Sequence, residues 1–371
     1  MGLDLVVIHS PVGGGHKAAA FAVAEVARAR GMSVEVLDTF EHAPSALGGA
    51  YLGAHLTAQG VIPQLYDSAY FAANHRDGAF EPVRRAIDHV AWAGLVRRVF
   101  ELSPRVVVGT HHLPLLVLGR ARRKGRLAAP LVGVVTDYGA HACWAEKGVD
   151  ALCVPCPRAF RDAAAHGFPV DRIRFTGIPV RPAFEAIADV REPLAGEPLR
   201  VLVTSGGFGV GPIGAVVRSF AGIKGVELTV VCGRAEGLVR RVKRAAERAG
   251  VTARVLGFER DMPARIAEAH VVVGKAGGLT VSETLTAGRP MIVAGAAPGN
   301  EGINAAMLAD AGAGVLAEPR AVGALVARMR ETRAIGIMGR CARALVMSRA
   351  ADRVIDVGLQ LAAAGRPAHA A

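Results

Sequence analysis

The chain has 371 residues, which at about 150 residues per domain points to two domains. Apolar residues make up 51% of it, enough for a full core in each half, so a disordered or fibrous chain is excluded. The formal net charge of +12 favours polyanionic surroundings: nucleic acid, anionic lipid headgroups or a phosphorylated ligand.

Aromatic residues are only 5%, whereas glycines number 45, a balance suited to an α/β protein with many tight strand-to-helix turns. The five cysteines are too few and odd in number for a disulfide scaffold, so reduced thiols and a cytoplasmic setting are expected. The opening MGLDLVVIHS has no basic or long apolar leader pattern, and no signal peptide is expected. No run approaches the ~20 apolar residues of a membrane span, so any membrane contact is expected to be peripheral.

In chain order, Leu3–Ile8 is a continuous apolar run of the kind buried on both faces of a parallel sheet. The turn Gly13-Gly14-Gly15 follows, then an Ala-rich helix from about Lys17 to Arg30 and a second strand, Val34–Leu37. Further strands are predicted at Val106–Gly109, Leu131–Thr136 and Ala151–Val154, with a helical pattern over Pro82–Glu101. The stretch Glu185–Pro198 reads as a linker. Beyond it, strands recur at Arg200–Thr204, Glu227–Cys232, Ala253–Leu256, Val271–Val273 and Met291–Val293, each followed by a helical pattern. The alternation predicts two doubly wound α/β domains with a cleft between them: residues 1–190 and 198–345, then a C-terminal helix and loose tail over 346–371.

Glycine clusters at Gly13–Gly15 and Gly206–Gly211 stand between strand and helix, where bare backbone lets a phosphate approach free N–H groups. The spacing Gly209-x-Gly211-x-x-Gly214 matches a dinucleotide fingerprint. The next strand, however, runs into Gly233-Arg234 instead of the carboxylate that a ribose of NAD needs. After Val271–Val273, the segment Gly274–Glu283 places Gly277, Gly278 and Thr280 at a helix start suited to a diphosphate. Glu283, a turn further on, is placed to accept from both hydroxyls of a ribose. Thr280 and Glu283 also fit an ordinary capping box. Asn300, Glu301 and Asn304 cluster amide and carboxylate groups of the kind that bind sugar hydroxyls.

Taken together, Lys275–Glu283, Pro298–Asn304, Gly257-Phe258 with Asp261-Met262, and Ser205–Gly214 resemble the C-terminal domain of family 28 glycosyltransferases, which have the two-domain GT-B fold. Gly13–His16, Val135–Asp137 with His141 and Trp144, and Thr176–Phe184 resemble the monogalactosyldiacylglycerol synthase and processive diacylglycerol glucosyltransferase group. The resemblance implies an inverting hexosyltransferase that moves sugar from UDP-galactose or UDP-glucose to diacylglycerol at an anionic membrane surface. It implies uracil near Gly257–Met262, with Phe258 and Met262 at that end, and ribose on Glu283. The diphosphate falls on Gly277, Gly278, Leu279 and Thr280, with Gly207, Gly209 and Lys275 nearby, and the donor sugar on Asn300, Glu301 and Asn304. The family usually has Gln where Asn300 stands, which leaves galactose versus glucose open.

Such a displacement needs a general base for the acceptor hydroxyl and positive dipoles for the departing diphosphate. His16 is the leading base, expected to be kept neutral by the helix N-terminus, and Asp137 is the second catalytic candidate. Gly14, Gly15, His141 and Trp144 fall on the acceptor side. The chain has no Asp-x-Asp, so no metal and no other cofactor is expected; Cys153 and Cys156 read as structural thiols. Two segments offer lipid contact: Ala43–Asn74, and Pro82–Leu102, where Trp92, Leu95, Val96 and Val99 are flanked by arginines, although an apolar stripe of that kind more often faces a core. No nucleic-acid motif appears. The alternatives are a lipid II-type N-acetylglucosaminyltransferase, a UDP-sugar 2-epimerase and a UDP-sugar sensor without catalysis.

Overall fold

The computed structural model describes residues 2–11, 14–44, 92–207, 209, 211–295 and 299–365. Gly13, Pro298, most of the lipid-contact candidate 43–74 and residues 82–91 of the other lie outside them. The chain divides into two compact units, Met1–Pro182 with Met347–Ala371, and Ala183–Val346.

The first unit is built on β1 (Leu5–His9), β2 (Val34–Asp38), β3 (Val106–Gly109), β4 (Leu131–Val134), β5 (Ala151–Val154) and β6 (Ile173–Phe175). They form one sheet in the order β2-β1-β3-β4-β5-β6, with parallel pairings throughout the described residues. Apolar runs of four or five residues with no polar face cannot leave either side in water, so helices cover both faces. Val6, Ile8 and Val107 meet Leu95 and Val99 of α2 (Ala93–Leu102) and Leu115 and Leu118 of α3 (His112–Arg123). On the other face, Leu5, Val7, Val106 and Val108 meet Ala20 and Val23 of α1 (Gly14–Ala29). The C-terminal helix Ala350–Ala363 joins that layer through Ala351, Val354 and Ile355.

The structure decides between the two readings of the apolar stripe in favour of the core: Leu95 and Val99 are fully buried, and Trp92 packs with Leu113 and Val117. With Trp92, Leu95 and Val99 covered by the sheet and α3, only half-buried Val96 of the stripe keeps any exposure.

The second unit repeats the plan with β7 (Leu199–Thr204), β8 (Val226–Val231), β9 (Ala253–Leu256), β10 (Val271–Gly274), β11 (Met291–Ala294) and β12 (Gly314–Ala317). The order is β12-β11-β10-β7-β8-β9. Val201, Val203, Val230, Val271, Val273 and Ile292 form the centre of its core, with Leu238 and Val242 of α4 (Glu236–Arg248) packed against them. In each sheet the chain steps outward from the first strand and then returns to its other side, between β1 and β3 and between β7 and β10. Loops diverge at such a reversal and open a crevice beyond the strand ends. No helix among the described residues is long and apolar enough to cross a membrane.

Candidate functional site

In the first unit the reversal brings together residues from three loops. His16 lies in the first turn of α1, just beyond β1, and Thr110 directly follows β3. His16 Nδ1 is 2.8 Å from the Thr110 carbonyl oxygen and 2.9 Å from Thr136 Oγ1, which follows β4. Thr110 Oγ1 donates in turn to the His16 carbonyl at 2.8 Å, so two bonds clamp one residue to the other. A carbonyl oxygen can only accept, so Nδ1 carries the ring proton and Nε2 presents its lone pair. Burial pushes the His16 pKa below its ordinary value, against upward pulls from Asp137 and the Thr110 hydrogen bond. The helix N-terminus predicts a neutral imidazole from the sequence alone; in the structure desolvation is the leading cause.

Two further histidines, His111 and His112, escaped the sequence reading, although their place just beyond β3 was a usable signal. The His111 ring stands edge-on to His16, with centroids 4.6 Å apart, and its Nδ1 accepts from Leu113 N at the start of α3. His112 leans on His111 at 4.1 Å and meets Trp144 edge-on at 6.1 Å. Trp144 and His141 are both buried; His141 Nδ1 accepts from Cys143 N and caps the short turn Ala142–Trp144. Of the other residues expected on the acceptor side, Gly14 opens α1 with open space where a Cβ would stand, and Gly15 follows it. Asp137 is half-buried one residue beyond Thr136. Cys153 lies buried in β5, its thiol pushed up to about 12 by desolvation.

In the second unit the loops after β7 and β10 supply the glycine turns. Gly206, Gly209 and Gly211 all take positive φ, at 67°, 71° and 124°, a region that glycine enters without strain. A Cβ on Gly233 would run into the carbonyl oxygen of Gly206, so the turns after β7 and β8 touch main chain to main chain beside Gly207. Gly277 is the N-cap of α5 (Gly278–Thr286), and no side chain caps that helix. Thr280 is therefore its third residue and not an N-cap, which removes the capping-box account of Thr280 and Glu283. Its first turn, Gly278-Leu279-Thr280, presents N–H groups without an intrahelical partner, and half-buried Glu283 follows.

The adjoining loop opens α6 (Asn300–Asp310), with Gly299 as its N-cap. Lys275 Nζ, just past β10, lies 2.7 Å from Glu301 Oε1. Asn304 is fully buried and donates to the Ala276 carbonyl at 2.8 Å, so its amide nitrogen serves the turn. Asn300 is the first residue of the same helix. At the far side of the sheet the Arg234 guanidinium stacks over the Phe258 ring at 4.3 Å, and Phe258 is 50% exposed. Met262 starts the next helix, capped by Asp261, which accepts from Ala264 N.

The monogalactosyldiacylglycerol synthase family matches residues 16–180, and the glycosyltransferase family 28 C-terminal domain matches residues 201–331. A probable monogalactosyldiacylglycerol synthase 2 of Oryza sativa subsp. japonica is 28% identical, over 88% of this chain and 73% of its own. A processive diacylglycerol beta-glucosyltransferase of Bacillus mycoides is 26% identical, over 58% of this chain and 56% of its own. Among solved structures, Acinetobacter baumannii MurG superposes with a TM-score of 0.64 at 20% identity, covering 96% of this chain and 99% of that one. The calicheamicin glycosyltransferase CalG4 gives 0.62 at 16% identity, covering 97% and 100%. Both likenesses are of fold, and that fold is GT-B. With one family's domain over its first unit and the other's over its second, the chain belongs to the family 28 glycosyltransferases, in the monogalactosyldiacylglycerol synthase and processive diacylglycerol glucosyltransferase group.

Proposed function

We propose that the chain transfers a hexose from a UDP-sugar to the free hydroxyl of diacylglycerol, with inversion, at an anionic membrane surface. The observation that carries the reading is the orientation of His16: Nδ1 is tied to Thr110, which leaves Nε2 to take a proton. The names of the relatives, which specify diacylglycerol products, support the acceptor. The net charge of +12 supports the anionic surface.

In this reading the acceptor oxygen attacks C1 of the sugar while the bond from C1 to the phosphate oxygen breaks on the opposite face. His16 Nε2 removes the hydroxyl proton, and the Asp137 carboxylate steadies the imidazolium that forms. Negative charge accumulates on the departing UDP. In this reading the N–H groups of Gly278, Leu279 and Thr280, at a helix end that no side chain caps, and the Lys275 ammonium meet it. Glu283 takes the ribose hydroxyls, Phe258 and Met262 border the uracil, and Asn300 and Glu301 contact the sugar. On the acceptor side Gly14 and Gly15 leave room for the lipid hydroxyl, and His141 and Trp144 complete that side. No metal or other cofactor enters the step.

Purified chain offered radiolabelled UDP-galactose or UDP-glucose on vesicles of diacylglycerol in anionic phospholipid tests the reading. Labelled glycolipid from one donor supports it and names the sugar. No glycolipid from either donor, or transfer only to a polyprenyl diphosphate-linked sugar, overturns it.

A further inference from the structure

The turn after β10 and the first turn of α6 touch through two neighbouring contacts of opposite character. Ala276 receives the Asn304 amide at 2.8 Å, and Asn304 has no exposure at all. One residue before Ala276 and one helical turn before Asn304, Lys275 meets Glu301 at 2.7 Å, with the two side chains 30% and 21% exposed. The amide contact is a buried bond whose loss would leave a polar group dry. The ion pair is partly wet, and a pair of that kind is weakly held and readily exchanged for another partner.

The surroundings of Lys275 show where its charge can go. It stands at the reversal between β7 and β10, and its Cγ passes 3.7 Å from where a Cβ of Gly211 would be, so its stem lies against the glycine turn after β7. On its other side, two residues along, begins the uncapped end of α5. A diphosphate bound at that helix end and glycine turn brings phosphate oxygens into competition with the Glu301 carboxylate for one ammonium.

Resting on the UDP-sugar reading above, we propose that the Lys275–Glu301 pair is a latch that the donor opens. The ammonium passes from Glu301 to the diphosphate. The released carboxylate turns to the hydroxyls of the donor sugar, while the Asn304–Ala276 bond keeps the two turns in register. No covalent bond changes in this step. As the bond from C1 to phosphate oxygen breaks, UDP gains negative charge and Lys275 is drawn further toward it. Lys275 thus acts on the leaving group directly, and Glu301 holds it in reserve until the donor arrives.

The latch makes an unusual demand: the two ends of one ion pair must have opposite effects on UDP affinity. Calorimetry of UDP with the full chain reads this. Glu301→Gln frees the ammonium in advance and is expected to tighten UDP binding about three- to fivefold, the worth of a partly exposed ion pair. Lys275→Gln is expected to weaken it roughly tenfold or more. The double variant should match Lys275→Gln, and Lys275→Arg should stay near the parent. Turnover separates the roles further, since Glu301→Gln should lower kcat despite its tighter UDP. Glu301→Ala repeats the sign should the glutamine variant fold poorly, because a damaged site cannot bind more tightly. Unchanged or weakened UDP binding in both Glu301 variants overturns the latch and leaves the donor reading standing. A parent chain that binds no UDP overturns both.

Discussion

The Thr110 carbonyl oxygen lies 2.8 Å from His16 Nδ1, and that one contact decides which nitrogen of the ring can act as a base. Thr136 Oγ1 reinforces it from the next strand over, 2.9 Å from the same nitrogen. His16→Ala should therefore lower transfer by about 10²- to 10⁴-fold, the usual contribution of a positioned general base. UDP affinity should stay within about twofold of the parent, since the proposed donor residues belong to the second unit. A radiolabelled transfer assay with parallel UDP calorimetry checks both. Near-parent turnover removes His16 from the mechanism.

The direction of the His16 pKa shift gives a signed pH prediction. Burial lowers it beneath its ordinary value of 6.5, so the ring remains a competent base below that pH and the acid limb of kcat/KM falls there. Asp137 pulls the other way by favouring the charged ring. Asp137→Asn removes that pull, so the acid limb should move to lower pH. Turnover at neutral pH should fall about 10²-fold, because the imidazolium forming in the transition state loses its counter-charge. An acid limb that moves upward, or not at all, would show that the carboxylate does not act on this ring.

In the second unit, Glu283 and the uncapped end of α5 make separable contributions to the proposed donor site. Glu283→Ala deletes two hydrogen bonds to a ribose and should weaken UDP about 10- to 100-fold, while inorganic diphosphate, which has no ribose, should bind as before. Calorimetry with the two ligands checks this. Equal weakening of both would mean that Glu283 supports the turn and does not touch the pentose.

Residue order made these sites legible to different degrees. Both glycine turns, His16 and Glu283 stood out because each follows a continuous apolar run, and such runs are short, buried parallel strands whose ends collect ligands. Strands β6 and β12 did not stand out, because each is an edge strand of three or four residues exposed along part of its length. The Thr110 and Thr136 clamp joins positions 94 and 120 residues from His16, and nothing local to Thr110 or Thr136 announces the pairing. Trp92, Leu95 and Val99 had the spacing of a membrane-facing stripe and of a core-facing one alike. The covering layer that decides between the two comes from the sheet and α3, distant in sequence.

The buried Arg122–Asp150 pair should matter more to folding than any surface pair. Arg122 donates to both carboxylate oxygens at 2.9 and 3.2 Å and to the carbonyls of Leu127 and Ala128; Asp150 also accepts from Leu131 N. Both side chains are at most 2% exposed. Asp150→Ala leaves a dry, uncompensated guanidinium and should cost about 3–5 kcal/mol. Chemical denaturation followed by circular dichroism measures it, and a loss under 1 kcal/mol would mean water reaches the pair.

The return of the C-terminal helix to the first unit depends on a missing side chain. A Cβ on Gly358 would come within 2.5 Å of Val106 Cγ1, at the start of β3. Gly358→Ala gains helix propensity, about 1 kcal/mol, but forces the helix off the sheet or the valine off its rotamer, at about 1–3 kcal/mol. The net effect should be destabilising. Val106→Ala alone leaves a small void and should also destabilise, by up to about 2.5 kcal/mol. If the close approach is the cause, the alanine at 106 makes room for the one at 358. The double variant should then be more stable than the sum of the two losses by about 1–2 kcal/mol. Strict additivity in a denaturant-midpoint cycle would show that the helix docks without pressing on Val106.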